Sequence, residues 1–407
     1  MKAPRVALFA DSFHEVNGAA YTCRQYQAFA ERRGLPLLVV HSGSETRSFR
    51  QGSVSTIELK RSRATVALDS DLGFDPLLWR YWSRLGKALA AFQPDLVHII
   101  SPGDFGFLGL CWAYRLGIPI VASFHTNLHE FAAARLQKSL RFLPGRPRQA
   151  ICRCVEQVGG FALGKFYQIP RLLLAPNPEI QQWLERATGR PCRPMGRGVD
   201  IELFHPARRD VAADGAFRMG YVGRLTREKN LRLLAALERA LLEAGLTRYL
   251  FVIVGGGSER AWLEANLRRA EFTGVLRGEP LARAYANFDL FLFPSRTDAF
   301  GNVVQEALAA GTPALVTRQG GPKFLIQPGI TGYVAADDHE FIARAVSLAA
   351  EPEVCRRMRA AARQAACALS WDQIFEQVWE DYQICLPPPA RKAAVLPHPR
   401  LESENAA

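Results

Sequence analysis

The sequence predicts an α/β fold in which two doubly wound, Rossmann-like parallel-sheet domains face a central cleft. The chain has 407 residues, whereas a single hydrophobic core stops growing at roughly 250 to 300 residues, so we expect two domains. Short apolar runs alternate with longer amphipathic segments, a pattern typical of buried parallel strands covered by crossover helices. The same pattern restarts in the second half of the chain, so each half should form its own sheet.

Four apolar runs in the first half are interpreted as parallel strands. They are RVALFA from Arg5, LPLLVV from Leu35, LVHII from Leu96 and IPIVASF from Ile118. The first strand is followed by the loop DSFHEVNG, residues 11–18, and then by a helix near Tyr21. Gly18 would let the backbone approach a ligand at the mouth of the cleft, although a simple helix-capping turn remains an alternative.

A polar cluster, His125-Thr126-Asn127, directly follows the strand that begins at Ile118. Polar residues at a strand end are disposed to line the cleft, where His125 can hydrogen-bond a ligand hydroxyl. A lone histidine is more often structural, so both roles stay open at this point.

The segment 135–153 is basic and contains no acidic residue. Its cations are Arg135, Lys138, Arg141, Arg146, Arg148 and Arg153. Interleaved leucine, phenylalanine and isoleucine side chains make the segment similar to a patch that binds an anionic membrane surface. A solvated basic face on a core helix is the alternative.

The domain boundaries follow from a change in composition. Residues 191–206 are rich in Pro, Gly and Arg and lack apolar periodicity, so we place the linker there, between an N-terminal domain of residues 1–190 and a C-terminal domain of residues 207–370. Residues 371–386 form an amphipathic run that ends before a proline cluster, which predicts a final helix packing back on the N-terminal domain. Residues 387–407 are expected to be disordered.

The second half begins its own series of strands: MGYVG from Met219, YLFVIVG from Tyr249, LFLFP from Leu290 and TPALVT from Thr312. Open parallel sheets bind ligands outside the carboxyl ends of their strands, so Arg224 and Lys229, which follow the first of these strands, should emerge there. Two cations at that edge suit a diphosphate, and a solvated basic turn is the alternative. Gly256, in a run of three glycines, either allows backbone approach to a ligand or serves tight packing.

The segment FPSRTDAFGNVVQEALAAG, which starts at Phe293, is the most specific in the chain. Residues 299–302 are interpreted as a turn into a helix that begins near Val303, and the amides of such a helix N-terminus form an anion site. Glu306, one turn further on, would face the same cleft and can accept two hydrogen bonds from a diol. Asp298 could accept from ligand hydroxyls. The alternative makes Asp298 an N-terminal cap and Glu306 a surface residue.

Charge and composition narrow the range of partners. Lys and Arg outnumber Asp and Glu by 51 to 39, a net charge of +12, which fits phosphorylated substrates, an anionic membrane or nucleic acid. The eight cysteines never take the paired spacings of zinc sites, so we expect free thiols and no metal site. No run approaches the ~20 apolar residues of a membrane span, and no signal-peptide pattern precedes the first strand. We therefore expect a cytoplasmic protein, at most peripheral on the inner face of the plasma membrane.

Taken together, these segments resemble the retaining glycosyltransferases of the GT-B fold, within family 4 of that classification. The resemblance covers almost the whole chain. It is strongest in GYVGRLTREKN, VGGGSE, FPSRTDAFGNVVQEALAAGTP and GGPKFLIQPGITGYV, and it extends to VNGAAYTCRQ, SFHTN and RGVDIELFHP. The TDAFGN form is similar to the subgroup that includes mannosyltransferases and sulfoquinovosyl transferases acting on lipids or glycolipids.

The resemblance implies roles for individual residues. Arg224 and Lys229 would hold the diphosphate of a nucleoside-diphosphate sugar, Glu306 would hold its ribose, and His125 would lie near the reacting carbon, so that His125, Arg224 and Lys229 form the catalytic set. Further residues on the donor side would be Gly18, Gly256, Asp298, Phe300, Gly301 and Asn302. The residues on the acceptor side would be Asn17, Thr126 and Asn127.

The activity implied is retaining transfer of a hexose, with mannose from GDP-mannose favoured, to a hydroxyl of a lipid or saccharide acceptor. No cofactor, metal or nucleic acid is expected to take part, because protein cations would stabilise the departing diphosphate. Asp298 departs from the glutamate usual in the family, and Lys323 departs from the acidic residue common at its position. The alternatives are a nucleotide-sugar epimerase and a non-catalytic paralogue that binds a nucleotide sugar.

Overall fold

Two parallel sheets, one in each half of the chain, organise the fold. The structure, a computed structural model, describes residues 3–15, 18–69, 72–125, 161, 163–211 and 214–386. Within them every neighbouring pair of strands in these two sheets is parallel except one edge pair in the N-terminal half. The predicted fold class is therefore confirmed.

The N-terminal sheet is larger than the four runs identified in the sequence. The strands of this half are β1 (Val6–Ala10), β2 (Leu37–Gly43), β3 (Arg47–Gln51), β4 (Val54–Lys60), β5 (Val66–Asp69), β6 (Leu72–Phe74), β7 (Leu96–Ile99), β8 (Ile120–Ser123), β9 (Leu172–Ala175) and β10 (Cys192–Pro194). Eight of them form one sheet in the order β10-β9-β8-β7-β1-β2-β4-β3, and β5 pairs with β6 in a separate two-stranded sheet. The antiparallel pair is β3 with β4, at the edge.

The C-terminal sheet contains the four predicted strands and two more at its edges. Its strands are β11 (Phe217–Val222), β12 (Tyr249–Val254), β13 (Ala270–Gly274), β14 (Leu290–Phe293), β15 (Ala314–Thr317) and β16 (Gly332–Ala335). Their order in the sheet is β13-β12-β11-β14-β15-β16.

Helices cover both faces of each sheet. They are α1 (Gly18–Arg33), α2 (Trp82–Phe92), α3 (Asp104–Leu116), α4 (Pro178–Thr188), α5 (Leu233–Glu243), α6 (Arg260–Asn266), α7 (Gly278–Asn287), α8 (Asn302–Ala309), α9 (Asp338–Ala350), α10 (Pro352–Cys367) and α11 (Trp371–Cys385). Strand β1 shows the double burial directly, because successive side chains of a strand point to opposite faces. Phe9 packs with α3, whereas Leu8 packs on the other face with α1 and α11.

The connection between the two domains begins later than the sequence indicated. The expected linker, residues 191–206, contributes Cys192–Pro194 to the N-terminal sheet, where Cys192 pairs with Leu173 of β9. Strand β10 was missed because only the thiol of Cys192 in this three-residue strand is buried, and Arg193 and Pro194 point to solvent. The irregular part of the connection therefore starts at Met195.

The last helix, α11, packs on the N-terminal domain although it follows the C-terminal one. Its N-terminus is closed by a capping box between Ser370 and Gln373, and salt bridges join Asp372 and Glu376 to the end of α1. Its buried side chains share one core with α1 and the N-terminal sheet: Trp371, Phe375, Val378, Trp379, Tyr382 and Cys385.

Several expectations fall on parts of the chain outside the described residues. These are the basic segment 135–153, the tail 387–407, and the residues Asn17, Thr126 and Asn127. The cysteines that the structure describes are free thiols. Among the described residues, no helix combines the length and the apolar composition needed to cross a bilayer.

Candidate active site

The carboxyl ends of β11 and β12 meet in a backbone-to-backbone contact that explains the run of glycines. A Cβ on Gly255 would lie 1.9 Å from the carbonyl oxygen of Gly223, and one on Gly257 would lie 2.3 Å from that of Leu225. Tight packing therefore accounts for Gly255 and Gly257. Gly256 is different, because a Cβ there would meet only Val275, at 3.7 Å, so this position leaves room beside the strand ends.

Lys229 and Asp298 form a tight ion pair at the same edge. Lys229 lies in the 3-10 turn Arg227–Lys229 after β11, and its Nζ donates to both carboxylate oxygens of Asp298 at 2.7 Å. The hydroxyl of Ser295 also donates to this carboxylate, and the ring of Phe293 lies 6.0 Å from Nζ. Asp298 is therefore a partner of Lys229, and the interpretation of Asp298 as a helix cap is wrong because Gly301 is the residue before α8.

Arg224 is exposed and makes no hydrogen bond or ion pair through its guanidinium with any residue that the structure describes. Burial and the charge of Asp298 raise the pKa of Tyr221. The positive charge of Arg224 acts in the opposite direction. The Tyr221 hydroxyl donates to the backbone oxygen of Arg224 at 3.0 Å. Tyr221 is therefore a buried residue that contacts the backbone of Arg224.

Glu306 lies one turn into α8 and is partly buried, so the interpretation as a plain surface residue is wrong. Its Oε2 accepts a hydrogen bond of 2.8 Å from the hydroxyl of Tyr285. Burial raises the pKa of Glu306 to about 7, although the Tyr285 hydrogen bond acts in the opposite direction. Burial, Glu306 and, more weakly, Tyr221 raise the pKa of Tyr285.

Two helix N-termini face each other between the domains. A Cβ on Gly18, the first residue of α1, would lie 3.2 Å from Nδ2 of Asn302, the first residue of α8. Neither helix has an acidic residue in its first turn, so no carboxylate of the first turn offsets the partial positive charge of either terminus. Gly301 begins α8 with φ +95°, a conformation that favours glycine.

His125 is held in one tautomer by Arg197, a residue that the sequence did not single out. A guanidinium only donates, so its 2.5 Å contact with Nδ1 of His125 makes that nitrogen an acceptor and leaves the proton on Nε2. Nε2 is buried and has no hydrogen-bond partner among the described residues. Burial, followed by the charge of Arg197, lowers the pKa of His125 well below its usual value. His125 is therefore a neutral donor.

Arg197 also connects the two domains. Its guanidinium is buried and lies 5.9 Å from the ring of Phe300, and its backbone oxygen accepts a 2.7 Å hydrogen bond from Gln305 of α8. Burial lowers the pKa of Arg197 to about 10. The residue thus joins His125 of the N-terminal domain to the turn and helix that carry Phe300 and Glu306.

Two further contacts cross between the domains beside this turn. Asn177 caps α4 by accepting from Ile180 and donates at 2.7 Å to the backbone oxygen of Ala299. Lys323, the departure noted from the family pattern, forms a 2.5 Å ion pair with Glu179 of α4. The lysine therefore has a partner that an acidic residue at this position would repel.

The strand-end residues of the candidate site were predicted from the sequence. Four further residues of the site were not predicted: Arg197, Tyr221, Tyr285 and Asn177. Tyr285 lies on α7 in the ordinary amphipathic run LARAYANF, where no feature separates it from a core residue. The position of Arg197 in the sequence was a weak indication of its role, since a basic residue in the connection between two domains can contact both of them.

Both halves of this chain are similar in sequence to known proteins. The family model described as Glycosyltransferase Family 4 matches residues 16–203, and that described as Glycosyl transferases group 1 matches residues 216–351. A GDP-mannose-dependent alpha-mannosyltransferase of Mycobacterium tuberculosis (strain CDC 1551 / Oshkosh) is 31% identical over 93% of this chain and 96% of its own length. Sulfoquinovosyl transferase SQD2 of Arabidopsis thaliana is 30% identical over 64% of this chain and 50% of its own length.

The fold is shared with solved glycosyltransferase structures. Sucrose-phosphate synthase from Thermosynechococcus elongatus superposes with a TM-score of 0.69 at 19% identity, covering 94% of this chain and 98% of that protein. WaaG, a glycosyltransferase involved in lipopolysaccharide biosynthesis, superposes with a TM-score of 0.61 at 15% identity, covering 92% and 99%. Family models in both halves and a relative that is 31% identical along nearly the whole length show that this chain is a glycosyltransferase of the GT-B fold and belongs to family 4.

Proposed function

We propose that this chain transfers mannose from GDP-mannose to a hydroxyl of a lipid or glycolipid, with retention of the anomeric configuration. The observation that carries the donor assignment is the ion pair between Lys229 and Asp298, which lies in the loop leading to the N-terminus of α8, where Gly18 of α1 approaches Asn302. The name of the mycobacterial relative supports the choice of donor. The lipid acceptor rests on the resemblance of the TDAFGN segment and on the net charge of +12.

Arg224 and Lys229 would bind the donor diphosphate. Arg224 is free of ion pairs among the described residues, so its planar guanidinium can bridge phosphate oxygens. Lys229 is already paired with Asp298 at 2.7 Å, which fixes the ammonium group in place. The amides at the start of α8 would complete the anion site. We expect donor affinity to be the same with and without Mg²⁺, because these groups supply the positive charge.

Glu306 would accept hydrogen bonds from the ribose diol through the oxygen that Tyr285 leaves available. His125 would donate its Nε2 proton to the sugar or to the departing oxygen, since that nitrogen is buried and unpartnered among the described residues. A neutral imidazole suits this role because it donates one hydrogen bond without competing for the negative charge of the diphosphate.

The chemistry would depend on electrostatic stabilisation rather than on a protein nucleophile. Asp298, the carboxylate next to the strand ends, is held by Lys229 and Ser295 and is not free to attack a sugar. Cations and amides aimed at the departing diphosphate stabilise the charge that develops as the glycosidic bond breaks, by several kcal/mol per donor. The acceptor hydroxyl would attack the same face, and the contacts between domains would exclude water.

A donor assay tests the proposed reaction. Incubation with GDP-mannose and a lipid acceptor should yield an alpha-mannoside and free GDP in equal amounts. A panel of nucleotide sugars, followed by thermal stabilisation, identifies the preferred donor. Recovery of an isomerised nucleotide sugar, or of tight donor binding without turnover over a range of acceptors, would overturn the proposal.

A pair of variants tests the proposed diphosphate site. Lys229→Ala removes a charge-assisted hydrogen bond, which contributes about 1.5–3 kcal/mol, so we expect kcat/KM for the donor to fall roughly 10- to 150-fold. Arg260→Ala is the matched control, because the one ion pair that Arg260 forms with a described residue is with Glu264, on the exposed surface of α6. Equal kinetics in both variants would remove Lys229 from the site.

A further inference from the structure

Three side chains from separate elements of the N-terminal domain bring possible metal ligands together. His14 lies in the loop after β1, His41 lies in β2 and Glu58 lies in β4. One ligand atom from each lies within 4.8 Å of those of the other two. Nε2 of His14 is 3.2 Å from Oε1 of Glu58, and Nε2 of His41 is 4.0 Å from the same oxygen.

His41 is oriented as a metal-binding imidazole. Its Nδ1 lies 2.8 Å from the backbone oxygen of Ser42, and because a carbonyl only accepts, Nδ1 carries the proton and Nε2 carries the lone pair. This is the arrangement in which a backbone carbonyl fixes the tautomer of a ligating histidine. The ring is fully buried and stacks on Phe13 with centroids 4.0 Å apart, so its direction is fixed.

Nε2 of His41 is an acceptor that points towards a second acceptor. It is buried without a hydrogen-bond partner among the described residues, and it faces Glu58, whose carboxylate is also an acceptor. Oε1 of Glu58, 4.0 Å away, can accept a hydrogen bond from Nε2 of His14. A buried acceptor without a partner is costly, so Nε2 of His41 calls for a cation or a donor beside it. His14 approaches the same oxygen from the solvent side and is 55% exposed.

We propose that His14, His41 and Glu58 bind a divalent transition-metal ion, with Zn²⁺ as the best fit, through Nε2, Nε2 and Oε1. Two imidazoles and one carboxylate are an established zinc donor set that leaves a fourth position open to water. Tetrahedral zinc with bonds of about 2.0–2.1 Å holds its ligand atoms about 3.4 Å apart. The separation between His14 and Glu58 is already of this size, and His41 needs to approach Glu58 by less than about 1 Å.

Arg47 limits the strength of this site. Its Nε donates to Oε2 of Glu58 at 2.5 Å, so one carboxylate oxygen is occupied and the negative charge is partly offset. We expect a site that binds zinc reversibly rather than one that needs zinc to fold. A bound ion would join the loop containing His14 to β2 and β4, and that loop leads directly to Gly18 at the start of α1. The site would therefore hold the segment that faces Asn302.

This inference does not depend on the proposed donor or acceptor, so it is tested by binding alone. Full-length protein freed of metal with a chelator is titrated with zinc chloride by calorimetry, and we expect one zinc ion per chain at this site. His14→Ala and Glu58→Gln should each weaken that event at least tenfold. His14 is more than half exposed, so its loss should leave the fold, measured by circular dichroism without metal, unchanged.

Two further variants make the test specific. Arg47→Ala should tighten zinc binding, because it frees Oε2 and leaves the Glu58 charge uncompensated. His339→Ala removes an exposed histidine from α9 and should leave the titration unchanged. All variants keep the same eight cysteines, so zinc bound by thiols would be the same in each. Identical titrations in the native chain, His14→Ala and Glu58→Gln would overturn the proposal and leave a hydrogen-bonded cluster with water between its acceptors.

Discussion

Glu306 occupies a position in which burial and a hydrogen bond act on its carboxylate in opposite directions. Burial raises its pKa to about 7, while the Tyr285 hydroxyl, 2.8 Å from Oε2, favours the ionised form. A carboxylate that accepts two hydrogen bonds from a diol must be ionised, because the protonated form loses one of its acceptor sites. Near neutral pH, Glu306 is therefore ionised in some molecules and protonated in others. Only the ionised form suits the proposed ribose contact.

We expect the affinity for a nucleotide sugar to rise with pH over roughly one unit on either side of 7, as Glu306 loses its proton. A nucleotide sugar is the suitable ligand because its diphosphate does not titrate in this range. Glu306→Gln keeps the shape and the Tyr285 contact but cannot ionise, so its affinity should be lower and independent of pH. Calorimetry at several pH values measures this. A dependence that persists in Glu306→Gln would point instead to Asp11, whose pKa burial and Asp104 raise to about 7.

Some positions of the candidate site could be predicted from the sequence because one rule places them. Parallel strands end at the same edge of a sheet, so residues after β11 and β14, such as Lys229 and Asp298, had to be neighbours. The direct ion pair between them was not predicted, since it depends on side-chain reach across two loops. Arg197 could not be predicted either, because its partner His125 lies 72 positions away and only the docking of two domains brings them together.

At the scale of elements, the strands missed from the sequence include the edge strands β3, β10, β13 and β16, and also β4 and β9, which lie inside the N-terminal sheet. The central strands β1 and β14 are continuous apolar runs, whereas β7 and β11 each contain one polar residue, His98 and Arg218. Strand β3, with the sequence RSFRQ, is exposed at every position, and β13 is only partly buried. Edge strands receive their structure from hydrogen bonds to a neighbour rather than from burial, so hydropathy carries little information about them.

Helix α11 is joined to the N-terminal domain by a buried chain of hydrogen bonds as well as by apolar packing. The hydroxyl of Tyr382 contacts the hydroxyl of Tyr26 and lies 2.6 Å from Nδ1 of His98. Nε2 of His98 continues the chain to Ser123 at 2.5 Å. Burial lowers the pKa of His98 to about 3, so this ring is neutral and the network holds no charge.

Tyr382→Phe should destabilise the N-terminal domain by about 1–3 kcal/mol, because it leaves polar groups of Tyr26 and His98 buried without their partner. Urea unfolding followed by circular dichroism measures the change in the free energy of unfolding. Tyr114→Phe is the matched control, since Tyr114 is 88% exposed and its loss should change nothing. If both variants unfold like the native chain, apolar packing and the salt bridges to α1 attach α11 without a contribution from this network.

At the scale of the whole molecule, the domains are held in contact by groups that also belong to the candidate site. Asn177 holds the oxygen of Ala299, Arg197 joins His125 to Phe300, and Gly18 approaches Asn302. The candidate site is therefore complete only when the two domains are in contact, because each half of the chain supplies part of it. The folds of the two domains can be predicted from each half of the sequence separately. The dependence of the candidate site on contact between the domains cannot, because it exists only in the assembled molecule.

The ion pair between Lys323 and Glu179 offers a way to change closure without altering the donor contacts. Its lysine is 19% exposed and its glutamate is 61% exposed, so we expect it to contribute only about 0.2–1 kcal/mol. Lys323→Glu replaces attraction by repulsion and should open the domains, which increases the radius of gyration measured by small-angle X-ray scattering. The exchange Lys323→Glu with Glu179→Lys should restore the native value, because the pair re-forms with its charges reversed. High salt should reduce the difference between Lys323→Glu and the native chain, since exposed charges are screened. An unchanged radius in Lys323→Glu would assign closure to the buried contacts of Arg197 and Asn177.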